Sequence, residues 1–323
     1  MKLAAAPSCI VDARGQPHMG RFQGPAAIYD WATLAPPFAR SSLWRRFHHK
    51  RWHYVALATE RLFCGIAIVD LGWTNTAFAY AFDRSQGEVV AAFSQDGVPG
   101  LTASLASEAS SGSSFRFLSN RIELGPKGLR LDCGEFQVEA VFDGAPPLLL
   151  AVGPVDGGSV HATQKSGGFK LSGQVRIGVR RYELDGGVAS FDYSNGLLAR
   201  ETAWRWASAH AHDVGFNLQA GYFGKQENAL WLDGHVTGLG AAHFDYTASD
   251  PMAPWHITTD DGLLDLHFTP EGARREDKDL FVAASRYVQP IGTFDGWVKA
   301  SPDGYSRRIM QLVGVTEDHA SRW

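Results

Sequence analysis

Residues 53–83 read H-Y-V-A-L-A-T-E-R-L-F-C-G-I-A-I-V-D-L-G-W-T-N-T-A-F-A-Y-A-F-D, and from this stretch onward the hydrophobic pattern has a period of two. Three apolar runs follow one another at 53–59, 62–72 and 77–83, with short polar interruptions between them. Side chains of an extended strand point to opposite faces in turn, so a period of two indicates β-strands rather than helices. The stretch therefore predicts three consecutive strands.

The rest of the chain repeats this pattern, with turn signals roughly every ten residues. Asn-Gly or Asp-Gly pairs at 195–196, 233–234 and 261–262 predict tight turns. The apolar positions change parity at Gly134, which we interpret as a β-bulge. Many short strands joined in this way predict an all-β protein made of two consecutive antiparallel β-barrels or curved sandwiches.

The length of 323 residues exceeds that of most single domains, so we expect two β-domains. Residues 1–40 are rich in Pro and Ala and predict an irregular lead-in. The segment V-G-P-V-D-G-G-S (152–159) is the predicted crossing point between the domains. We therefore expect an N-terminal β-barrel domain over residues 41–160 and a C-terminal one over residues 161–323.

The composition narrows the class of protein. Aromatic residues are abundant, with 10 Trp, 19 Phe and 9 Tyr, which favours a pocket for an apolar or planar ligand. A net charge of −4 argues against a general nucleic-acid binder. The scattered Cys9, Cys64 and Cys133 predict neither a disulfide framework nor a thiolate zinc site. The sequence holds no phosphate-binding glycine loop or nucleotide fingerprint, so we expect no cofactor.

Three features of the sequence bear on membrane association and location. No apolar run approaches the roughly 20 residues needed to cross a bilayer, so we expect no transmembrane segment. The start M-K-L-A-A-A-P-S-C-I lacks the apolar length of a signal peptide, and we expect a cytoplasmic location. The basic run R-R-F-H-H-K-R-W-H (45–53) is interpreted as a solvated face over buried aromatic residues, and it leaves contact with a membrane surface open. The sequence does not determine the oligomeric state.

Several motifs together resemble the DUF2804 family, whose function is unknown, over nearly the whole chain. They are K-R-W-H-Y-V (50–55), A-I-V-D-L-G-W (67–73), A-F-A-Y-A-F-D (77–83), H-A-T-Q-K (161–165), F-D-Y-S-N-G (191–196), T-A-W-R-W-A (202–207), G-F-N-L (215–218), E-N-A-L-W-L-D-G (227–234), A-P-W-H-I (253–257) and G-V-T-E-D-H (314–319). A more distant similarity is to the double lipocalin-like carotenoid 1,2-hydratase group. This resemblance implies two consecutive lipocalin-like (calycin-type) β-barrels and hydratase-type chemistry.

Five polar residues in strand-like surroundings are candidates for catalysis. Glu227 and Asp192 are the candidate proton donors, because a desolvated carboxyl can hold its proton at neutral pH. His161 and Lys165 share one face of an extended segment and can place a substrate oxygen, while Asn217 can orient the donor. The alternatives are that Asp192 caps a turn, that Glu227 lies in a loop, and that His161 and Lys165 lie on a solvated edge.

Ligand-binding candidates are the side chains expected to line the same pocket. They are Trp204, Trp206, Trp231, Tyr80, Asn228 and His319. Trp204 and Trp206 share a strand face, which also fits a plain core, and His319 follows a carboxylate with which it can relay a proton. His210 and His212 lie two apart, but no third ligand is in register, so we expect no metal site.

These features lead to two hypotheses. The first is a metal-independent acid/base enzyme of the hydratase, isomerase or cyclase type, acting on a hydrophobic small molecule in an aromatic-lined pocket between two β-barrels. The alternative is a non-catalytic binder of a lipid or another apolar ligand, which is the commoner use of a lipocalin-like cavity. Nucleic acid is not an expected partner in either case.

Overall fold

A computed structural model describes residues 3–107, 111–279 and 284–323 of the chain. Strands dominate these ranges, and the helices are a 3-10 turn at Trp31–Thr33 and helix α1 at Ser42–His48. No helix in the described residues is long and apolar enough to cross a membrane. The all-β prediction is confirmed.

Within the described residues, the first sheet contains fifteen strands from the N-terminal part of the chain. Its strands are β1 Ala4–Ala5, β2 Gly20–Gln23, β3 His49–Ala58, β4 Leu62–Asp70, β5 Asn75–Asp83, β6 Glu88–Gly97, β7 Ala103–Leu105, β8 Ser113–Phe117, β9 Asn120–Gly125, β10 Gly128–Cys133, β11 Phe136–Asp143, β12 Leu149–Pro154, β13 Val160–Ile177, β14 Arg180–Glu183 and β15 Gly187–Leu197. Hydrogen-bonded neighbours along the main row of strands have the order β6-β5-β4-β3-β15-β13-β11-β10-β9-β8-β7. The three strands predicted from residues 53–83 are β3, β4 and β5, which pair antiparallel with one another.

The second sheet contains nine strands within the described residues. Its strands are β16 Glu201–His210, β17 Val214–Gly221, β18 Ala229–Leu232, β19 His235–Gly238, β20 Ala242–Asp245, β21 Trp255–Thr259, β22 Leu264–Asp279, β23 Ala284–Val298 and β24 Arg307–Arg322. Hydrogen-bonded neighbours have the order β19-β18-β17-β16-β24-β23-β22-β21-β20. The two sheets curl into a near-barrel and a half-barrel, so the predicted pair of consecutive lipocalin-like units is confirmed.

The sheets divide the chain later than the expected boundary between residues 160 and 161. That boundary falls at the start of β13, which stays hydrogen-bonded to β11, β12 and β15 within the first sheet. The chain passes to the second sheet between Leu197 and Glu201. The described part of residues 1–40 contributes to the first sheet and its core rather than forming an irregular lead-in. Strand β2 pairs with β12, and the buried Ile10 and Trp31 belong to a core cluster there.

The two sheets pack face to face through an aromatic cluster. Tyr54 and Tyr80 of the first sheet meet Trp206 and Ile291 of the second, and all four are buried. The Arg274 guanidinium of the second sheet lies 5.3 Å from the Tyr80 ring centroid. Burial of this aromatic surface stabilises the contact between the two sheets. A cavity lies between the sheets beside this cluster.

Two local predictions were wrong, and both involve glycine. Gly134 lies in a hairpin turn rather than a bulge, because Cys133 pairs with Phe136 across it. Asn195-Gly196 lies inside β15 rather than in a turn, since the Asn195 amide accepts a hydrogen bond from Trp31 Nε1. The predicted turn at 233–234 is confirmed, because Asp233 and Gly234 adopt φ values of 48° and 78° between paired strands.

Candidate active site

A cavity of about 270 Å³ lies between the facing sheets. Ligand pockets typically measure roughly 300–1,000 Å³, so this cavity suits a small molecule. Its walls are mainly aromatic, with a polar group of residues in one part. The aromatic lining residues are Trp52, Tyr54, Trp73, Phe78, Trp204, Trp206, Tyr222, Tyr287 and Trp323.

The aromatic walls follow from strand periodicity. Trp52 and Tyr54 lie two apart on β3, and Trp204 and Trp206 lie two apart on β16, so each pair shares one face. The Trp52 and Trp204 rings are nearly parallel, with centroids 6.4 Å apart. The Tyr54 and Trp206 rings meet edge to face at 5.9 Å. Trp204 and Trp206 therefore lie in the wall, where the sequence analysis expected a ligand-binding surface.

Lys165 occupies the centre of the polar group. Its Nζ donates to Asp192, which lies directly opposite on β15, and lies 3.3 Å from Glu227 Oε2. Glu227 precedes β18 of the second sheet, so the group joins both sheets. The three side chains are 4%, 13% and 6% exposed, which means that solvent screens them little. The alternatives of a turn cap and a solvated edge do not describe Asp192 and Lys165.

This arrangement places two carboxyl groups beside one ammonium group. Burial raises the pKa of Asp192 and of Glu227, and Lys165 only partly opposes this effect. Burial also disfavours the charged form of Lys165, but Asp192 and Glu227 outweigh it and raise the pKa of Lys165. The raised pKa of Lys165 favours its charged form, and the raised pKa values of Asp192 and Glu227 favour the protonated form of the carboxyl pair, since each carboxylate disfavours a second negative charge beside it.

A second polar group surrounds Glu317 on β24. Its carboxylate accepts hydrogen bonds from Trp204 Nε1 at 2.9 Å and from Gln289 Nε2 at 2.7 Å. His319, two residues along the strand, places Nδ1 at 3.2 Å from Glu317 Oε1. Glu317, Gln289 and His319 all line the cavity, so the predicted ligand-binding position of His319 lies at its wall.

His161 shares a strand with Lys165 but lies outside the cavity lining. Its Nε2 lies 3.4 Å from the hydroxyl of Tyr222, which does line the cavity. The ring packs edge to face on Phe223 at 4.6 Å. Burial, assisted by Lys165, lowers the pKa of His161 to about 3, so its imidazole is neutral at neutral pH.

Asn217 supports the wall from behind. Its side chain accepts a hydrogen bond from Trp206 Nε1 at 2.8 Å and donates one to the Glu227 backbone carbonyl at 3.1 Å. Asn217 therefore fixes both a wall residue and the segment that carries a candidate acid, and its role in orienting that acid stays a prediction.

The remaining predicted ligand contacts lie outside the cavity lining. Asn228 accepts from the Gln219 backbone N–H at 2.6 Å and donates to Gly240. Trp231 donates to the Pro147 carbonyl at 2.7 Å. Tyr80 is fully buried behind the wall and donates to Gln289. These three side chains position the wall from outside.

Gln219 is a cavity residue that the sequence analysis missed. It is 2% exposed and lines the cavity, yet its amide makes no hydrogen bond to any group in the described residues. The signal was present in the sequence, because Asn217 and Gln219 share one strand face while Phe216 and Leu218 share the other. A buried amide without a protein partner is suited to a polar atom of a ligand.

A group of side chains with metal-ligand chemistry lies elsewhere. In the described part of the chain, His256, Asp265 and His267 are the residues whose ligand atoms come within 4.8 Å of one another. They are partly exposed on β21 and β22 and do not line the cavity. The expectation of no metal site stays a prediction.

The basic run at 45–53 is not one continuous surface. Helix α1 and strand β3 divide it, and Lys50 is fully buried with its Nζ donating to the Leu71 carbonyl at 2.8 Å. His53 is buried and Trp52 lines the cavity, which leaves Arg46 as an exposed charge of the run. The interpretation of a solvated face over buried aromatic residues is therefore wrong for Lys50 and His53, which are buried, and for Phe47, which is 51% exposed.

The chain belongs to the family described as Domain of unknown function (DUF2804), whose model matches residues 2–323. Comparison with curated proteins gave no match. Among solved structures, CghA is similar over 98% of this chain and 97% of its own, with a TM-score of 0.58 and 11% identity. Kievitone hydratase from Nectria haematococca is similar over 90% and 94%, with a TM-score of 0.54 and 10% identity. At these identities the likeness shows the fold alone, whereas the expected membership of the DUF2804 family is confirmed.

Proposed function

We propose that this protein is a metal-independent acid/base enzyme of the hydratase, isomerase or cyclase type, acting on a hydrophobic small molecule in the cavity between the sheets. One observation carries the proposal: Lys165 lies between Asp192 and Glu227 in a mostly aromatic cavity. Such a group stores a proton at neutral pH beside an apolar binding surface, which is what general acid catalysis requires.

In this proposal the Asp192–Glu227 pair supplies the proton. One carboxyl protonates the substrate, and Lys165 stabilises the carboxylate that remains. For a hydration, a water molecule then bonds to the substrate and returns one proton to the carboxylate, so the pair is restored. For an isomerisation or cyclisation, a proton leaves another position of the substrate instead.

Neighbouring residues hold this group in place. Asn217 fixes the Glu227 backbone and Trp206, while His161 acts through Tyr222 rather than on the substrate. The hydratase activity named for a structural neighbour makes hydration the first reaction class to test, although that neighbour shares only the fold. A cytoplasmic location and a hydrophobic substrate are parts of the proposal.

The alternative is a carrier that binds an apolar ligand without changing it. The aromatic walls favour this alternative as much as they favour an enzyme, because both uses need an apolar cavity. The buried ionisable group discriminates between them, since desolvating two carboxyls and an ammonium costs free energy that a simple carrier does not need.

The test begins with native mass spectrometry of the protein and identification of any molecule extracted from it. That molecule and related alkenes and ketones are then incubated with the protein in D2O, and deuterium incorporation is followed by mass spectrometry. We expect incorporation that falls by about 100-fold or more in Asp192→Asn and Glu227→Gln. The exposed Asp303→Asn serves as the matched control. Binding without any exchange, or exchange unchanged in both variants, would refute the enzyme.

A further inference from the structure

Three cavity residues form a hydrogen-bonded series that the proton-transfer proposal does not use. Ser285 Oγ lies 2.9 Å from His319 Nε2, and His319 Nδ1 lies 3.2 Å from Glu317 Oε1. All three side chains line the cavity. A hydroxyl, an imidazole and a carboxylate in this sequence of contacts are the parts of a nucleophile, its base and the group that orients the base.

The strand geometry explains how these residues meet. Glu317 and His319 lie two apart on β24 and therefore share one face. Tyr287 of β23 pairs with His319 across the ladder, so Ser285 lies two residues along the neighbouring strand, on the same face. The arrangement thus rests on paired strands rather than on loops, which limits its freedom to move apart.

The carboxylate of this series is held firmly. Glu317 accepts hydrogen bonds from Trp204 Nε1 and Gln289 Nε2, and its side chain is 11% exposed. Because the carboxylate is an acceptor, it favours the tautomer in which His319 Nδ1 carries the proton. His319 Nε2 is then free to accept a proton from a hydroxyl.

Two hydroxyls compete for His319 Nε2. Ser321 Oγ lies 2.8 Å from this nitrogen, and Ser285 Oγ lies at 2.9 Å. Ser321 is 6% exposed and is not part of the cavity lining, whereas Ser285 is part of it. A substrate in the cavity therefore meets Ser285, and Ser321 serves to orient the ring.

We propose that Ser285, His319 and Glu317 form a second catalytic site in this cavity, which cleaves esters of hydrophobic carboxylic acids through an acyl-serine. The site uses none of Lys165, Asp192 and Glu227, so this activity is separate from the proposed proton-transfer function. The aromatic walls bind the apolar acyl group next to Ser285.

The reaction is a double displacement. Ser285 Oγ bonds to the ester carbonyl carbon as its proton passes to His319 Nε2, and collapse of the tetrahedral intermediate breaks the bond to the alcohol. His319 returns the proton to the leaving alcohol oxygen. Water then attacks the acyl-serine, again losing a proton to His319, and releases the carboxylic acid while Ser285 recovers its proton.

Covalent labelling tests the proposal directly. The full chain is treated with diisopropyl fluorophosphate, which reacts with activated serines, and the adduct is located by intact mass and peptide mapping. We expect one adduct on Ser285, absent in Ser285→Ala, and labelling slowed by about 100-fold or more in His319→Gln. Glu317→Gln should slow labelling as well, whereas Ser301→Ala, the matched control at an exposed serine outside the cavity lining, should leave labelling at Ser285 unchanged.

A second measurement keeps the test independent of folding defects. Ser285→Cys preserves the size of the side chain, and we expect iodoacetamide to alkylate it faster than Cys9, the partly exposed native thiol. Hydrolysis of p-nitrophenyl butyrate should be lost in Ser285→Ala and retained in the exposed Asp303→Asn. No adduct on the wild-type protein, an adduct elsewhere, or labelling unchanged in His319→Gln would overturn the proposal.

Discussion

Lys165 and Asp192 lie directly opposite each other on β13 and β15, and the lysine Nζ donates to the aspartate inside an apolar cavity. Glu227 reaches the same ammonium group from the other sheet. The pairing therefore links the packing of the two sheets to the protonation of a buried acid.

Lys165→Met should destabilise the fold by about 3–5 kcal/mol at neutral pH, because it leaves two buried carboxyls without their cation. The loss of stability should be larger above neutral pH than at about pH 5, since protonation of Asp192 and Glu227 relieves the repulsion between their carboxylates. Urea unfolding across this range measures it. The matched control is Lys278→Met, whose side chain is 37% exposed and forms surface ion pairs, and whose effect should stay below about 1 kcal/mol. Equal effects would contradict a stabilising role of Lys165.

Three buried histidines should weaken the fold in acid. Burial lowers the pKa of His53 to about 4 and the pKa values of His161 and His210 to about 3. Below the ordinary value of 6.5 the unfolded chain therefore binds protons that the folded chain refuses. The free energy of unfolding should fall as the pH drops from 6.5 towards 4, by about 1 kcal/mol per pH unit for each histidine.

Denaturant unfolding at a series of pH values checks this slope, and His53→Phe should remove the contribution of His53, about 1 kcal/mol per pH unit. The phenyl ring fits there because His53 already packs against Phe191 and Tyr193. An unchanged slope in His53→Phe would mean that this histidine is not neutral in the folded protein.

Gln219 and Asn217 share a strand face but should respond oppositely to leucine. Asn217→Leu should destabilise the fold by about 1–3 kcal/mol, because it leaves Trp206 Nε1 without its acceptor. Gln219→Leu should be neutral or slightly stabilising, since its amide has no partner in the described residues, yet it should weaken ligand binding. Thermal unfolding and quenching of tryptophan fluorescence measure the two effects. A destabilised Gln219→Leu with unchanged binding would reverse this assignment.

The sequence predicted which side chains of this site share a strand face, but not how the strands that carry them pair and pack. The parity of Trp204 with Trp206, and of Lys165 with His161, follows from strand periodicity and placed these side chains on common faces. Lys165 faces Asp192 because of the register between β13 and β15, and no local sequence pattern specifies that register. Glu227 joins them only through the packing of the second sheet on the first.

Tertiary contacts also explain why the turn predicted at Asn195-Gly196 is a strand, and why the chain leaves the first sheet later than the boundary expected after residue 160. Asn195-Gly196 has the residues of a tight turn, but Trp31 and His49 bond to the Asn195 amide and keep the strand extended. The Gly- and Pro-rich segment at 152–159 joins β12 to β13 of one sheet, so it marks a hairpin rather than a passage between domains. Composition alone does not distinguish these two kinds of connection.

Side-chain carboxyl NMR of protein labelled with 13C in Asp and Glu shows whether the Asp192–Glu227 pair holds a proton at neutral pH. We predict a carboxyl resonance that remains in its protonated position near neutral pH and disappears in both Asp192→Asn and Glu227→Gln, because Lys165 then ionises the single carboxyl left beside it. If both carboxyls of the wild-type protein are already ionised at about pH 5, the pair stores no proton and the proposed acid is refuted.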